Sequence, residues 1–227
     1  MTQQRTTVEI NSITINSLLP RVFSGMERDE SIASSEVWLK KLKFERGEKI
    51  LIRAESGKGK SSLLSFIYGR RTDYSGSIDF DSDNIRNIGI GRWCDIRRRS
   101  LAWLPQEMAL FSELTARDNV RLKNDLTSFR SDEWIEKAFS VLEIDNRIDT
   151  PAGILSVGQQ QRVAIIRSLC QPMAFLLLDE PVSHLDPRTN RLAASLIEQT
   201  LDETGAALIT TSVGNNLSVD FDKEIVL

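Results

Sequence analysis

The pattern of apolar and polar positions divides the chain into short strands and longer helices. Alternating β-branched residues over 8–15 and a second extended run over 37–44, separated by a polar loop, predict an antiparallel hairpin near the N-terminus. Short apolar runs predict further strands at 49–53, 77–80, 101–104, 175–178 and 207–210. Helical spacing of apolar residues predicts helices from Lys60 to Gly69, over 130–144 and over 188–201. Strands that alternate with helices favour an α/β fold with a mostly parallel sheet, and residues 107–160 read as a helical insertion.

Composition excludes several classes of function. The chain has 29 Lys and Arg against 32 Asp and Glu, so no sequence-wide basic surface suits nucleic acid, and we expect no nucleic-acid partner. No apolar run approaches the ~20 residues of a membrane-spanning helix, and the N-terminus lacks the apolar core of a secretory signal. The two cysteines, Cys94 and Cys170, are interpreted as structural thiols. We therefore expect a cytoplasmic protein.

A glycine-rich segment follows the predicted strand 49–53 and opens the next helix. Residues 54–61 read AESGKGKS and fit the phosphate-loop pattern, with Ala54 at the opening glycine position. Backbone N–H groups of such a loop surround phosphate oxygens, while Lys60 is expected to reach the β- and γ-phosphates and Ser61 to ligate Mg²⁺. An ordinary glycine turn is the alternative, which the preceding strand disfavours. The predicted nucleotide-binding residues are Ser56, Gly57, Lys58, Gly59, Lys60, Ser61 and Ser62.

Two carboxylates end the most apolar of the predicted strands. Phe175 begins the run FLLLDE, which ends at Asp179 and Glu180. Adjacent side chains of a strand point in opposite directions, so one carboxylate can support a metal while its neighbour faces the nucleotide. In nucleotide hydrolysis Asp179 would hold Mg²⁺ and Glu180 would polarise the attacking water. A solvated strand end is the alternative, and the phosphate loop makes the catalytic interpretation the stronger one.

Three further segments resemble motifs of the ATP-binding cassette superfamily. Residues 155–162, LSVGQQQR, resemble its signature motif, Gln106 lies after strand 101–104 as its Gln loop does, and residues 183–186, SHLD, resemble its D-loop. The resemblance implies one ATPase domain over residues 1–227, with a RecA-like phosphate-loop NTPase core at 1–106 and 161–227. It implies a helical signature subdomain at 107–160.

The resemblance also implies a composite ATP site. Family members form head-to-tail dimers in which ATP lies between one subunit's phosphate loop and the other subunit's signature helix, here Ser156, Gly158 and Gln159. Gln106 would ligate Mg²⁺ and serve catalysis, and Ser212 stands where the family has a histidine that contacts the γ-phosphate. An aromatic residue of the first hairpin is expected to stack on adenine, and Phe23 is the candidate. The dimer can be a homodimer or include another cassette subunit.

Two departures from the family pattern point to slow hydrolysis. Val157 places a branched side chain where the signature has a glycine that allows close approach to phosphate. Ser212 can donate a hydrogen bond but cannot carry the positive charge of a histidine. The only histidine, His184, is interpreted as a solvated D-loop residue, and residues 97–99, three arginines, as a solvated turn.

Two functions remain open for such a chain. The first is the ATP-hydrolysing subunit of a transporter, bound to the inner face of the membrane only through an integral-membrane permease that contacts the Gln106 region and the helical insertion. The segment at 93–98 resembles the lipoprotein-release and macrolide-export branch of the superfamily. The second is a slow, non-transport ATP-gated clamp or regulator. A phosphate-loop kinase or small GTPase is excluded by the signature segment, which those enzymes lack.

Overall fold

The computed structural model describes residues 9–55 and 57–227, with Ser31 described by its backbone only. In chain order the strands are β1 (Ser12–Pro20), β2 (Lys41–Glu45), β3 (Lys49–Arg53), β4 (Tyr74–Phe80), β5 (Asp83–Asn84), β6 (Leu101–Leu104), β7 (Phe175–Asp179), β8 (Ala207–Ser212) and β9 (Lys223–Val226). The α-helices are α1 (Glu30–Ala33), α2 (Lys60–Ile67), α3 (Ile90–Arg99), α4 (Ala116–Asn124), α5 (Asp132–Val141), α6 (Val157–Ser168) and α7 (Pro187–Thr204). Short 3₁₀ turns lie at Arg21–Phe23, Ile85–Asn87, Asp145–Arg147 and Ala152–Ile154.

A five-stranded sheet forms the centre of the molecule. Its order is β6-β7-β8-β3-β9, and every neighbouring pair is parallel, as the alternation of strands and helices predicts. The carboxyl ends of parallel strands therefore meet at one edge of this sheet. That edge carries the end of β3, which leads into the phosphate loop, together with the ends of β7 and β8.

Strand β7 divides the two hydrophobic cores. Alternate side chains of a strand face opposite sides of the sheet, so Leu176 and Leu178 belong to one core and Phe175 and Leu177 to the other. The first core is closed by helices α4 to α7, and the second by α2 and the antiparallel sheet. Burial on both faces explains why the strand is a continuous apolar run instead of an alternating one.

The predicted N-terminal hairpin is part of a larger antiparallel sheet. β1 pairs with β2 as predicted, but it also pairs with β4, and β5 completes a four-stranded sheet in the order β2-β1-β4-β5. β2 begins later than the predicted residue 37 because Leu39 has a positive φ of 60° and Trp38 turns into the core. Of the predicted first strand, residue 8 lies outside the described residues.

The helical insertion extends along the chain from the end of β6 to the first turn of α6. Helix α5 covers the centre of the predicted helix 130–144, and it begins where the Ser131 side chain accepts a hydrogen bond from the backbone of Trp134. Helix α7 starts at Pro187 after an Asp186 cap and is terminated by the following Gly205, which adopts a left-handed φ of 62°. None of the described helices combines the length and the apolar character needed to span a bilayer.

The interpretation of residues 97–99 as a solvated turn is wrong, because they form the last turn of α3. The Arg97 guanidinium donates to the carbonyls of Tyr68 (3.2 Å) and Gly69 (2.9 Å), which lie just beyond the end of α2. It also lies over the ring of Trp93, 4.8 Å from the centroid. Helix α3 contains few apolar residues, so its sequence pattern is weak, and these contacts place it against α2.

The two thiols differ in environment, which provides a test of the fold. Cys94 is exposed on α3, whereas Cys170 is buried beside the end of α6, where burial raises the pKa of its thiol to about 12. At pH 8 we expect a disulfide reagent that reports free thiols to modify one cysteine in the native protein and two after denaturation. Cys94→Ser should abolish the native reaction, and Cys170→Ser should leave it unchanged. Rapid modification of Cys170 in the folded protein would contradict this burial.

Candidate functional site

The phosphate loop is shaped by two glycines and a tryptophan. Gly57 and Gly59 adopt positive φ values of 82° and 100°, which favour glycine. A Cβ atom at Gly59 would also lie 2.8 Å from Cζ2 of Trp38, whose indole N–H donates to the Lys58 carbonyl at 3.3 Å. Trp38 therefore supports the loop from below. The predicted Ser56 lies outside the described residues.

Phe23 lies beside the same part of the loop. Its ring centroid is 6.2 Å from that of Trp38, and its edge lies 3.5 Å from where a Cβ atom of Gly59 would be. The half-buried ring thus forms one wall next to the phosphate loop, which is compatible with the predicted role in adenine stacking but does not test it.

Lys60 is held at the loop by backbone oxygens and a carboxylate. Its side chain is only 5% exposed, and its ammonium group donates to the carbonyls of Ala54 (3.0 Å) and Glu55 (2.9 Å). Oε1 of Glu180 lies 3.7 Å from the same nitrogen. A buried cation needs such partners because its desolvation is costly. The predicted lysine and the predicted base therefore meet in one place.

Gln106 bridges the phosphate loop and the carboxylate strand. Its Nε2 atom lies 3.5 Å from Oε2 of Glu180, and its Oε1 atom lies 3.5 Å from Oγ of Ser61. The structure thus brings together three of the predicted residues across a span of 119 positions in the sequence, from 61 to 180. The Ser62 side chain does not join this group of residues, because its hydroxyl accepts a hydrogen bond from Arg71 at 2.8 Å.

The two carboxylates are fixed by groups that sequence reasoning missed. Thr211 donates its hydroxyl to Oδ1 of Asp179 at 2.6 Å and accepts from the backbone N–H of Glu180 at 3.1 Å. The buried amide of Gln161 donates to the Glu180 carbonyl at 3.1 Å. Glu180 has a positive φ of 50°, a costly conformation for a residue with a side chain, and these bonds hold the N–H and the carbonyl on either side of its Cα. In the sequence, only their positions point to these two residues: Gln161 lies within the signature segment, and Thr211 directly precedes Ser212.

The signature segment forms the N-terminus of helix α6. The Ser156 hydroxyl accepts from the backbone of Gln159, and the Gln159 side chain accepts from the backbone of Ser156, so the two predicted residues form a capping box. Val157 is 48% exposed at this end of the helix. No hydrogen bond joins either capping residue to the described part of the phosphate loop. Within one chain the signature helix and the loop are therefore separate surfaces.

Gly158 packs against the D-loop of its own chain. A Cβ atom there would lie 2.9 Å from the His184 carbonyl, which is tighter than real Cβ contacts. Gln161 accepts a hydrogen bond from the His184 backbone at 2.9 Å, and the His184 ring lies beside the Ser183 hydroxyl at 3.0 Å. Asp186 ends the D-loop and caps α7, and hydrogen bonds from Thr189 and Arg188 lower its pKa to about 2. The signature helix and the D-loop are thus tied together.

Ser212 lies at the carboxyl end of β8 and is buried. Its hydroxyl accepts from the backbone of Gly214 at 3.0 Å, and its carbonyl accepts from Ala54 at 3.3 Å, which ties β8 to the start of the phosphate loop. A cavity of about 330 Å³ adjoins Ser212, Ala54 and Asn216. The serine is therefore next to the loop, with space beside it for a larger side chain.

The sequence pattern of the ABC transporter family matches residues 40–183, which include the loop, the Gln106 segment and the signature. The chain belongs to the ABC transporter family. It is an ATP-binding cassette ATPase of a transporter, as its motifs predict.

Three relatives of this chain have names that state different transport processes. It is 32% identical to the lipoprotein-releasing system ATP-binding protein LolD of Treponema denticola, over 87% of this chain and 90% of that protein. It is 36% identical to the thiamine import ATP-binding protein ThiQ of Shigella sonnei, over 75% and 72% of the two chains. It is 32% identical to the macrolide export ATP-binding/permease protein MacB of Campylobacter jejuni, over 74% of this chain but 26% of that protein. The predicted similarity to the lipoprotein-release and macrolide-export branch is confirmed, and similarity to an import protein accompanies it.

Solved cassettes share the fold. The dimeric bacterial ABC transporter cassette MJ0796 superposes with a TM-score of 0.66 at 27% identity, covering 75% of this chain and 77% of that one. Its dimeric post-hydrolysis state, bound to ADP and Pi, gives 0.67 at 27% identity over 77% and 78%. A bacterial Atm1-family exporter with ATP bound matches all of this chain and 39% of its own with a TM-score of 0.76, and at 23% identity it supports the fold only. The predicted fold class is confirmed.

Two adjacent threonines of β8 provide a matched test of the carboxylate support. Thr211→Val should destabilise the protein by about 1–3 kcal/mol, because it removes the hydroxyl shared by Asp179 and Glu180. Thr210→Val should be neutral or stabilising, because the buried Thr210 hydroxyl has no hydrogen-bond partner among the described residues. Urea unfolding of both variants measures the difference. Equal stability of the two variants would show that Thr211 does not hold the carboxylates.

Proposed function

We propose that this cassette hydrolyses Mg-ATP in a composite site formed by two subunits. The observation that carries the proposal is the convergence of four predicted residues at one edge of the sheet, namely Lys60, Ser61, Gln106 and Glu180. The exposed Ser156 and the half-buried Gly158 remain on a separate surface. A half-site of this kind needs a second signature helix to close over the nucleotide. The dimeric MJ0796 structures support this arrangement. The second subunit can be another copy of this chain or a different cassette.

The residues of the site fit a Mg²⁺ ion bound together with nucleotide. Mg²⁺ prefers oxygen ligands and is commonly bound through one or two carboxylates together with substrate phosphates, and a hydroxyl, an amide oxygen and one carboxylate are the oxygen donors that this site offers. Ser61, Gln106 and Asp179 would hold the ion, and Mg²⁺ would neutralise charge on the phosphates. Glu180 would orient the attacking water and accept its proton, while Lys60 would bind the β- and γ-phosphates.

We infer that the loop glycines and the signature residues divide the remaining contacts. Gly57, Lys58 and Gly59 would surround the phosphates with backbone N–H groups, and the predicted Ser56 and Ser62 would complete this side. Ser156, Gly158 and Gln159 of the second subunit would approach the γ-phosphate from the opposite side, at the N-terminus of α6. Phe23 would stack on adenine.

Coupling to a permease is the biological role that we propose. A groove between the Gln106 segment and the helical insertion would receive a cytoplasmic helix of an integral-membrane subunit, so the cassette would lie at the inner face of the membrane and contact it only through that subunit. The names of LolD, ThiQ and MacB support a transport role. We retain one domain over residues 1–227, with the core at 1–106 and 161–227 and the signature subdomain at 107–160. Helix α6 crosses the boundary between residues 160 and 161.

Slow, ATP-gated turnover within the transporter is a second proposal, and two observations favour it. Ser212 uses its hydroxyl within its own turn, and Val157 projects at the surface that would face the partner's phosphate loop. Both positions would weaken closure or turnover while ATP binding remains intact.

Substitution of the proposed base tests the ATPase assignment. Glu180→Gln should stop turnover and retain ATP binding, because the amide cannot accept the proton of water yet keeps the shape of the side chain. Isothermal calorimetry and phosphate release measure the two properties, and gel filtration with ATP should show a trapped dimer. Lys60→Ala should lose most ATP affinity, whereas the exposed Glu113→Gln control should behave as the parent. Turnover of Glu180→Gln at the parent rate would exclude Glu180 as the base.

Restoring the family residue tests the origin of slow hydrolysis. Ser212→His should raise turnover by up to about 10²-fold, because it places a donor that can carry positive charge beside the transferring phosphoryl group. The cavity next to Ser212 gives the ring room. Steady-state phosphate release is measured for the parent, for Ser212→His and for the exposed Ser218→His control. A parent already at the rate of Ser212→His would show that serine suffices at this position.

A further inference from the structure

A cavity of about 650 Å³ lies between the start of β4, the 3₁₀ turn Ile85–Asn87 and helix α3. Its volume is within the range of small-molecule sites. Three arginines line it, Arg21, Arg71 and Arg86, and the described lining residues include no Asp or Glu. No residue of the phosphate loop lines it either. This arginine cavity is therefore a cationic site separate from the proposed ATP site.

The three guanidinium groups share one nearby carboxylate. Neither Arg21 nor Arg86 forms an ion pair with a described residue. Arg86 lies over the Tyr74 ring, 4.6 Å from its centroid, and donates to the Tyr74 carbonyl at 2.8 Å. The pKa of Asp73 is lowered first by its hydrogen bonds from Arg71 and also by the charge of Arg21. Asp73 therefore compensates only part of the positive charge at this cavity.

Arg71 is held in place and still has donors to offer. It forms a two-point ion pair with Asp73, with Nε 2.9 Å from Oδ1, and its Nη1 atom donates to the Ser62 hydroxyl at 2.8 Å. Its guanidinium also lies 5.2 Å from the centroid of the Phe66 ring. These bonds to described residues use three of its five N–H groups. Two N–H groups remain for a ligand.

The opposite side of the cavity is apolar. It is lined by the buried Ile85 and by the half-buried Ile88 and Trp93. Trp93 is packed against the end of α2, since a Cβ atom at Gly69 would lie 2.5 Å from Cη2 of its ring. The cavity thus places a fixed apolar wall beside its guanidinium groups.

These two sides match a phosphate ester that carries an apolar group. The planar guanidinium presents pairs of N–H groups that fit phosphate oxygens, and such charge-assisted bonds are stronger than neutral ones. Three arginines can engage the three terminal oxygens of one phosphate, while the apolar group lies on Trp93. A soluble organic phosphate and a phospholipid headgroup share this chemistry.

Arg71 also connects the cavity with the phosphate loop. Its partner Ser62 lies in the first turn of α2, directly after Ser61 of the loop. A second anion at Arg71 would add negative charge beside the helix end that is proposed to bind the phosphates of ATP. Like charges repel, so the two ligands should weaken each other's binding by the same factor.

We propose that the arginine cavity binds a phosphate ester with an apolar group, and that its occupancy weakens ATP binding through Arg71. The first half is independent of the proposed ATPase function, and the second half rests on it.

Two matched probes test the site on the full-length chain. 1-Naphthyl phosphate carries the phosphate ester and the aromatic group, whereas 1-naphthol carries only the aromatic group. Isothermal calorimetry should show the phosphate binding at least about tenfold more tightly. Arg86→Gln should remove this preference, whereas Arg147→Gln, an exposed arginine outside the cavity, should preserve it. Lys60→Ala should also preserve it, because the phosphate loop is not the site of the probe.

A second arm distinguishes the two sources of the phosphate. Sedimentation with phosphatidic acid vesicles, lost in Arg86→Gln and absent with phosphatidylcholine vesicles, would support the site and assign it to a lipid headgroup. Binding of the soluble probe without sedimentation would support the site and assign it to a free organic phosphate. Equal affinity for the two naphthyl probes without sedimentation would overturn the site, and so would loss of probe binding in Lys60→Ala.

The affinity for Mg-ATP tests the second half. With 1-naphthyl phosphate at a saturating concentration, the Kd for Mg-ATP should rise at least about threefold in the parent and stay unchanged in Arg86→Gln. An unchanged Kd in the parent, or an equal rise in both proteins, would overturn the coupling through Arg71. A parent without ATP affinity would refute the proposed ATPase function, and probe binding would still report on the cavity.

Discussion

Parallel pairing of β3, β7 and β8 is the constraint on which the site depends. Ile50 of β3 lies opposite Ile209 of β8, and Leu177 of β7 lies opposite the same residue on the other side. Because the strands run in one direction, the chain leaves all three at the same edge of the sheet. The phosphate loop, the two carboxylates and Ser212 consequently meet although they come from distant parts of the chain. Burial of β7 on both faces sets this register, since a shift by one residue would exchange its two cores.

Close packing at two glycines positions the segments that surround that edge of the sheet. Gly59 lies against Trp38, which belongs to the segment before β2, so the antiparallel sheet supports the phosphate loop. Gly158 lies against the His184 carbonyl, so the signature helix and the D-loop of one chain form a single surface. A methyl group at either glycine would require movement of its neighbour. The segments proposed to contact nucleotide and those proposed to contact a second subunit are thus each held by close packing, which suits the proposed closure of the site between two subunits.

Charge compensation by backbone carbonyls recurs at the cations of this structure. At the phosphate loop, backbone carbonyls and Glu180 surround the buried Lys60, so the cation is satisfied within the chain and remains next to the proposed phosphate position. Beside the helical insertion, Lys123 and Arg167 are likewise held by backbone carbonyls, those of Arg97, Ala109 and Met108. Since uncompensated charge in a buried place is costly, these partners allow Lys60 to stay buried beside the proposed phosphate position.

The sequence by itself determined the local chemistry. The glycines and lysine of 57–60, the pair Asp179 and Glu180 and the signature at 155–162 are recognisable because each depends on the order and spacing of a few consecutive residues. The tertiary structure decided which distant residues complete them: Thr211 beneath the carboxylates, Gln161 against the carbonyl of Glu180 and Trp38 beneath the loop. It also decided the position of α3, whose few apolar residues give little periodicity and which is held by the contacts of Arg97 with the end of α2. Hydrogen bonds and packing between remote segments leave no regular pattern along the chain, because their partners are chosen by sheet register and burial and not by spacing in the sequence.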